Sequence, residues 1–165
     1  MKFILTAATA VIVLIGGVLW SQSLSRNDPT IISQDGIHWH PRLSIVVRGE
    51  EIAIPANIGI GPQYAATPTF DTGMRMTAIH THEDMPVVHL EFPGLVREED
   101  IALGHFFEIW GRDMRSFGEN VLPSDERGST EASRLNVRMT VNGTENTEFE
   151  NYLMRDGDII EVTFD

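Results

Sequence analysis

The sequence predicts an α+β fold of the β-grasp (ubiquitin-like) type, with one main helix and an extra N-terminal β-hairpin. From Met74 onward the predicted elements follow the order strand, turn, strand, helix, strand, turn, short segment, strand, which is the order of a β-grasp domain. The chain closes on Asp156-Gly157-Asp158 and an alternating strand, as β-grasp domains do. In this arrangement the extra hairpin, residues 37–55, lies beside the hairpin that begins at Met74.

Composition limits the class of protein. A length of 165 residues suits one domain with a small appendage. The formal net charge of −12 argues against a nucleic-acid partner, because phosphate binding needs a basic surface. The chain has no cysteine, which excludes disulfides, thiolate zinc sites, cysteine nucleophiles and iron–sulfur clusters. The fold must therefore be held by its hydrophobic core or by a metal.

The N-terminus carries an uncharged apolar run over residues 3–20. At a rise of about 1.5 Å per residue, a helix of this length spans about 27 Å, close to the hydrocarbon thickness of a bilayer. Residues 1–23 are therefore predicted to be a membrane anchor or a signal segment, and the poor cleavage site after Trp20 favours the anchor. Residues 24–36 form a polar tether, and the domain, residues 37–165, faces the periplasm or the cell exterior.

The first predicted hairpin follows the pair His38 and His40. Pro41 marks a strand edge, and the alternating β-branched residues from Leu43 to Val47 predict a strand. Residues 48–51 are predicted to turn, and residues 52–55 are predicted to return as the second strand. Residues 56–73, which are rich in Gly and Pro, are predicted to be a loop.

The main helix is predicted after an acidic triplet, residues 98–100, which suits the positive end of a helix dipole. Leu103, Phe106, Phe107 and Trp110 follow helical spacing, and Gly111 ends the helix. Further along, the Asn142-Gly143 dipeptide predicts a tight turn between two strands.

Paired histidines are the strongest functional signal. His80 and His82 are two residues apart, as are His89 and Glu91, so each pair shares one face of an extended strand. If residues 83–86 turn, the two runs form an antiparallel hairpin with these four side chains on one side. Imidazole and carboxylate groups are ligands for zinc, copper, nickel and non-haem iron. The sequence therefore predicts a metal site, with unrelated histidines as the alternative.

The predicted ligands can be ranked by their place in these pairs. His80, His82 and His89 come first, and His40 and His38 come next as a second pair on one face. Glu91 is either a ligand or a partner that orients an imidazole. His105 ranks lower, because it falls beside the apolar face of the predicted helix.

Several motifs together resemble a family of small secreted or membrane-anchored bacterial and archaeal domains, most of them uncharacterised. The similarity covers most of residues 37–164, and it implies that the histidines form one shared site without implying an activity. This sequence differs in having Pro86 where the family pattern has Gly. The motifs that carry the resemblance are His38-x-His40-Pro41, residues 54–60 (IPANIGI), His80-Thr81-His82, His89-x-Glu91 and Leu103-Gly104-x-Phe106-Phe107-x-Ile109-Trp110-Gly111.

Three functions remain open from the sequence. The first is an extracytoplasmic protein that binds copper or zinc for capture, buffering or delivery, with a protein partner in metal transfer. Copper is favoured by the Irving–Williams order and by the nearby Met74, Met76 and Met85, although methionines also fill gaps in cores. The second is a small histidine-ligated metalloenzyme with Glu91 or Glu83 as general base. The third is a structural or interaction module whose metal only stabilises the fold.

Overall fold

A computed structural model describes residues 11–21, 28–114 and 136–165. The fold is α+β, with an α-helix at 11–21 (α1), a second helix at Leu103–Trp110 (α2) and several small sheets. Three 3-10 turns lie at Pro62–Tyr64, Glu98–Ile101 and Phe149–Asn151. The strands in chain order are β1 Ile31–Ser33, β2 Ile37–Trp39, β3 Arg42–Val47, β4 Glu50–Glu51, β5 Phe70–Asp71, β6 Met76–Thr77, β7 Ile79–His80, β8 His89–Phe92, β9 Val96–Arg97, β10 Val137–Val141, β11 Thr144–Asn146 and β12 Ile159–Phe164.

The largest sheet has five strands in the spatial order β11-β10-β12-β3-β4. Its central pair, β12 and β3, is parallel, and the other pairs are antiparallel. The Asn142-Gly143 turn joins β10 to β11 with positive φ angles at both residues, as predicted for a tight hairpin.

A separate three-stranded sheet has the order β2-β8-β7. This sheet corrects the prediction that residues 37–55 form one added hairpin. Residues 37–39 pair with β8, whereas residues 42–47 enter the five-stranded sheet, and the return strand of that hairpin is Glu50–Glu51. The chain changes sheets at His40-Pro41, and Pro41 suits this point because it has no N–H to donate to a strand ladder.

The two sheets remain connected where the chain leaves one for the other. The Leu43 N–H donates to the Pro86 carbonyl at 2.9 Å, and the Val88 N–H donates to the Pro41 carbonyl at 2.9 Å. The histidine hairpin is therefore fixed to the first strand of the large sheet, and the hydrophobic core continues beneath both.

The core takes one face from each sheet and the apolar face of α2. Gly111 ends α2 with a left-handed conformation, φ 73°, as its position in the sequence predicted. Side chains that are fully buried include Leu43, Ile45, Ile79, Leu90, Ile101, Leu103, Phe106, Met139, Met154, Ile160 and Val162.

The predicted N-terminal segment lies only partly within the described residues, because 1–10 and 22–27 fall outside them. Within the described ranges, no helix combines the length and the apolar character that crossing a membrane requires. Residues 112–134 are polar and contain Gly118, Pro123 and Gly128, a composition that predicts a surface loop, and most of them also lie outside the described residues.

Candidate metal centre

The predicted histidine hairpin is present. β7 pairs antiparallel with β8, and His80 lies directly opposite His89. On the other face of the hairpin, Ile79 and Leu90 are fully buried in the core. Alternation along each strand therefore sends the apolar residues inward and the two imidazoles to a common face. His82 follows β7, and its ring centroid lies 4.8 Å from that of His80 and 4.8 Å from that of His89.

The second histidine pair reaches this face from β2. In the ladder between β2 and β8, His38 lies opposite Glu91, and its Nε2 is 3.2 Å from Glu91 Oε1. The His40 ring centroid lies 5.0 Å from that of His89. The backbone N–H of His40 donates to Asp156 Oδ1 at 2.8 Å. The last turn of the chain thus fixes the residue that follows β2.

His89 is the member that two histidine sets share. His80, His82 and His89 form an inner set, and His38, His40 and His89 form an outer set. Within each set, one ring nitrogen from every histidine lies within 4.8 Å of the others. Five of the six histidines of the chain therefore meet at one place.

The inner and outer sets differ in exposure. The side chains of His38 and His40 are 66% and 42% exposed. In the inner set His80 is completely buried and His82 is not, and the side chain of the shared His89 is only 11% exposed. An ion held by the outer set would contact solvent, whereas His80 offers its nitrogen from inside the protein.

The hydrogen bonds of His80 fix which of its nitrogens is free. Its Nδ1 lies 3.0 Å from the Thr77 carbonyl oxygen, and since a carbonyl only accepts, Nδ1 carries the proton. The buried Nε2 atom has no hydrogen-bond partner and presents its lone pair to the cluster. Burial lowers the pKa of His80 below its usual value, and the bond to Thr77 opposes this shift only in part. The residue is thus held neutral, the form that a metal requires.

In His89 the two ring nitrogens have the opposite roles. Its Nε2 lies 3.1 and 3.3 Å from the two carboxylate oxygens of Asp84, so Nε2 carries the proton. Its buried Nδ1 has no hydrogen-bond partner and lies 3.8 Å from Glu91 Oε1. Partial desolvation would raise the pKa of Asp84, but the hydrogen bond and the electrostatic attraction from His89 outweigh it and lower that pKa. Asp84 is therefore an ionised carboxylate that orients the ring, as partners of metal-bound histidines commonly do.

A polar loop holds the inner set against the core. The Asn57 N–H donates to the Thr81 carbonyl at 2.9 Å, and the Thr81 N–H donates to the Ile58 carbonyl at 3.0 Å. Gly59, with φ +78°, lies so close that a Cβ on it would be 2.5 Å from the Ile79 carbonyl oxygen and 3.1 Å from His80 Cβ. The segment predicted as a loop therefore braces β7, and Gly59 is needed for that close approach.

The structure brings together the six residues that the sequence predicts as metal ligands: His80, His82, His89, His40, His38 and Glu91. His105 lies elsewhere on α2, with its Nδ1 3.3 Å from the Asp100 carbonyl oxygen, beside a cavity of about 930 Å³ that none of the other histidines lines. The sequence did not predict that Thr77, Asp84 and Asp156 accept hydrogen bonds from these histidines. The only sequence signal was the position of Asp84 in the turn between the two histidine runs.

The methionines take separate places. Met85 packs against the core, in keeping with the gap-filling alternative. Met74 and Met76 line a cavity of about 230 Å³ that also reaches Glu91.

Comparison with protein families, with curated proteins and with solved structures found no match to this chain. The site must therefore be interpreted from its own geometry.

Proposed function

We propose that this protein binds one copper or zinc ion outside the cytoplasm, through His80, His82 and His89, and serves to capture, buffer or deliver it. One observation carries the proposal. Two facing imidazoles, His80 and His89, each bury a nitrogen that has no hydrogen-bond partner. Buried polar atoms are nearly always satisfied in folded proteins, and leaving one unsatisfied costs about 1–3 kcal/mol. A metal ion supplies the missing partner for both nitrogens at once.

The donor set also fits the metals proposed. Neutral imidazole nitrogens suit zinc and copper, and Cu(II) binds more tightly than Zn(II) in the Irving–Williams order. Glu91 and Asp84 add negative charge that favours a cation. Copper(I) would gain from thioether sulfur, and the core packing of Met85 gives that form little support.

The finer fold class is part of the same proposal. The first and last strands of the five-stranded sheet in chain order, β3 and β12, pair in parallel, with β4 beside β3 and the β10-β11 hairpin beside β12. This order supports a β-grasp-like domain whose first hairpin is residues 42–51, with the metal hairpin inserted between that hairpin and α2. The motifs quoted above support membership of the uncharacterised histidine-rich family.

The cellular setting rests on the sequence. The apolar run at residues 3–20 supports an N-terminal anchor or signal segment, and hence a domain that faces the periplasm or the cell exterior. A protein partner in metal transfer would follow from a delivery role. The net charge of −12 makes nucleic acid an unsuitable partner.

Metal content tests the proposal directly. The protein is purified from its native compartment without a histidine tag, and copper and zinc are measured by mass spectrometry. We expect about one ion per chain, its loss in the double variant His80→Ala/His82→Ala, and its retention in the control His105→Ala. Protein that is isolated without metal and takes up neither ion at micromolar concentration would refute the proposal.

A further inference from the structure

The two histidine sets pose a question of stoichiometry. Each has three histidines, yet they share His89. The Nε2 atom of His89 is engaged by Asp84 at 3.1 Å, which leaves Nδ1 as its one free donor. A single lone pair binds one ion at a time. The sets are therefore alternative positions for one ion and do not form two complete sites.

Exposure distinguishes the two positions. The outer set presents its His38 and His40 side chains to solvent, whereas the inner set includes the completely buried His80. The Glu91 Oε1 atom lies 3.2 Å from His38 Nε2 and 3.8 Å from His89 Nδ1, so one carboxylate oxygen contacts both the outer set and the shared ring. A cation that reaches the surface meets imidazole and carboxylate donors there before it meets His80.

We propose that the outer set is a transfer position through which the ion enters and leaves the inner set, with His89 bound to it throughout. During transfer the bonds from the ion to His38 and His40 break while bonds to His80 Nε2 and His82 form. Two metal–nitrogen bonds break as two others form, and the oxidation state of the ion does not change. This inference rests on the proposed function, since it describes the path to the same site.

A transfer position has a characteristic kinetic effect. It lowers the barrier for entry and for exit by the same amount, so it changes both rates by the same factor and leaves the equilibrium constant unaltered. The inner ligands behave differently, because their loss weakens binding itself. The two roles are separable by measuring rates and affinity on the same variants.

Rates and affinity are compared in wild type, in the double variant His38→Ala/His40→Ala and in the control His105→Ala, and the affinity of His80→Ala/His82→Ala is measured for reference. Loading with Zn(II) and removal by a chelator are followed by stopped-flow, and affinity is measured by competition. In the double variant we expect loading and removal each to slow by about tenfold or more, with the dissociation constant changed by less than about threefold. The control should match wild type in all three quantities. Both replaced side chains are exposed, and the hydrogen bond from the His40 backbone survives in Ala.

Three results would overturn the inference. One is unchanged rates in the double variant, as expected if the ion enters directly at His82. Another is a loss of affinity as large as that of His80→Ala/His82→Ala. The third is two ions per chain at saturation after desalting. The single variant His40→Gln repeats the rate measurement with a milder change. Failure of the proposed function itself looks different, because wild type would then bind neither zinc nor copper.

Discussion

Replacing His80 by Phe separates the role of this residue in folding from its role in binding. The ring is completely buried, its Nδ1 donates to the Thr77 carbonyl at 3.0 Å and its Nε2 has no partner. Phenylalanine keeps a ring at this position and removes both nitrogens. We therefore expect a metal-free His80→Phe protein to fold and to bind no metal at the inner set.

The magnitude follows from two opposing effects. Removing the unpaired Nε2 relieves about 1–3 kcal/mol, and leaving the Thr77 carbonyl without its donor costs a similar amount. The metal-free variant should therefore lie within about 1 kcal/mol of wild type. For comparison, Leu90→Ala in the facing strand should cost about 2–5 kcal/mol, because Leu90 is fully buried and packs in the core.

Urea unfolding measures both quantities, first with a chelator and then with metal. At a free-metal concentration of about 100 times the dissociation constant, binding should stabilise wild type by about 2.7 kcal/mol and should leave His80→Phe unchanged. A metal-free variant that is more than about 2 kcal/mol less stable than wild type would refute the reasoning, because His80 would then be a satisfied structural histidine.

Three further predictions follow from other contacts. Asp84→Asn should weaken metal binding by about tenfold, since it removes the ionised acceptor that fixes the His89 tautomer. The control Glu83→Gln should bind metal as wild type does. Equal affinities of Asp84→Asn and wild type in a competition assay would contradict this prediction. Gly59→Ala should destabilise the fold by about 2–4 kcal/mol in urea unfolding, because the added Cβ meets the Ile79 carbonyl and the backbone φ is left-handed. The control Gly143→Ala, also at a left-handed φ but in open space, should cost only about 1–2 kcal/mol. Similar losses in both variants would argue against the close contact at Gly59. Burial lowers the pKa of His80, so at acidic pH the unfolded chain binds more protons than the folded one. The free energy of unfolding of the metal-free protein should therefore fall as the pH drops below about 6.5. The same dependence of stability on pH in His80→Phe would exclude His80 as the cause.

The sequence predicted the histidine hairpin because strand alternation determines which side chains share a face. His80, His89 and Glu91 follow that rule directly, and the burial of Ile79 and Leu90 confirms it. The Asn142-Gly143 turn and the end of α2 at Gly111 were predictable for the same kind of local reason.

The sequence did not predict which strands form the large sheet. The prediction assigned the histidine hairpin to it, but β3 and β4 occupy that place, and the chain leaves the small sheet at Pro41. Local pattern does not distinguish the two hairpins, because both alternate. The choice depends on the parallel pairing of β3 with β12, which joins residues more than 100 positions apart.

The sequence also did not predict the tautomers of His80 and His89, which decide which ring nitrogen can bind a metal. A histidine pair in a sequence does not reveal which nitrogen is free. That depends on a backbone carbonyl at Thr77 for His80 and on the Asp84 carboxylate for His89. With opposite nitrogens engaged, the two facing rings leave Nε2 and Nδ1 as their free donors.

The histidines of the two sets differ in how firmly the protein holds their side chains. This difference explains why the inner set would retain the ion and the outer set would exchange it. His89 belongs to both sets, so the difference lies in their other members. The inner set adds His80, which is completely buried on a strand backed by the fully buried Ile79, so its ring is ordered before any metal arrives and little further entropy is lost on binding. The outer set adds His38 and His40, whose side chains are 66% and 42% exposed, and ordering these on an ion carries a greater entropic cost. The inner set should therefore bind more tightly even though both sets offer three imidazoles, and the ion should move inward from the exposed position to the buried one.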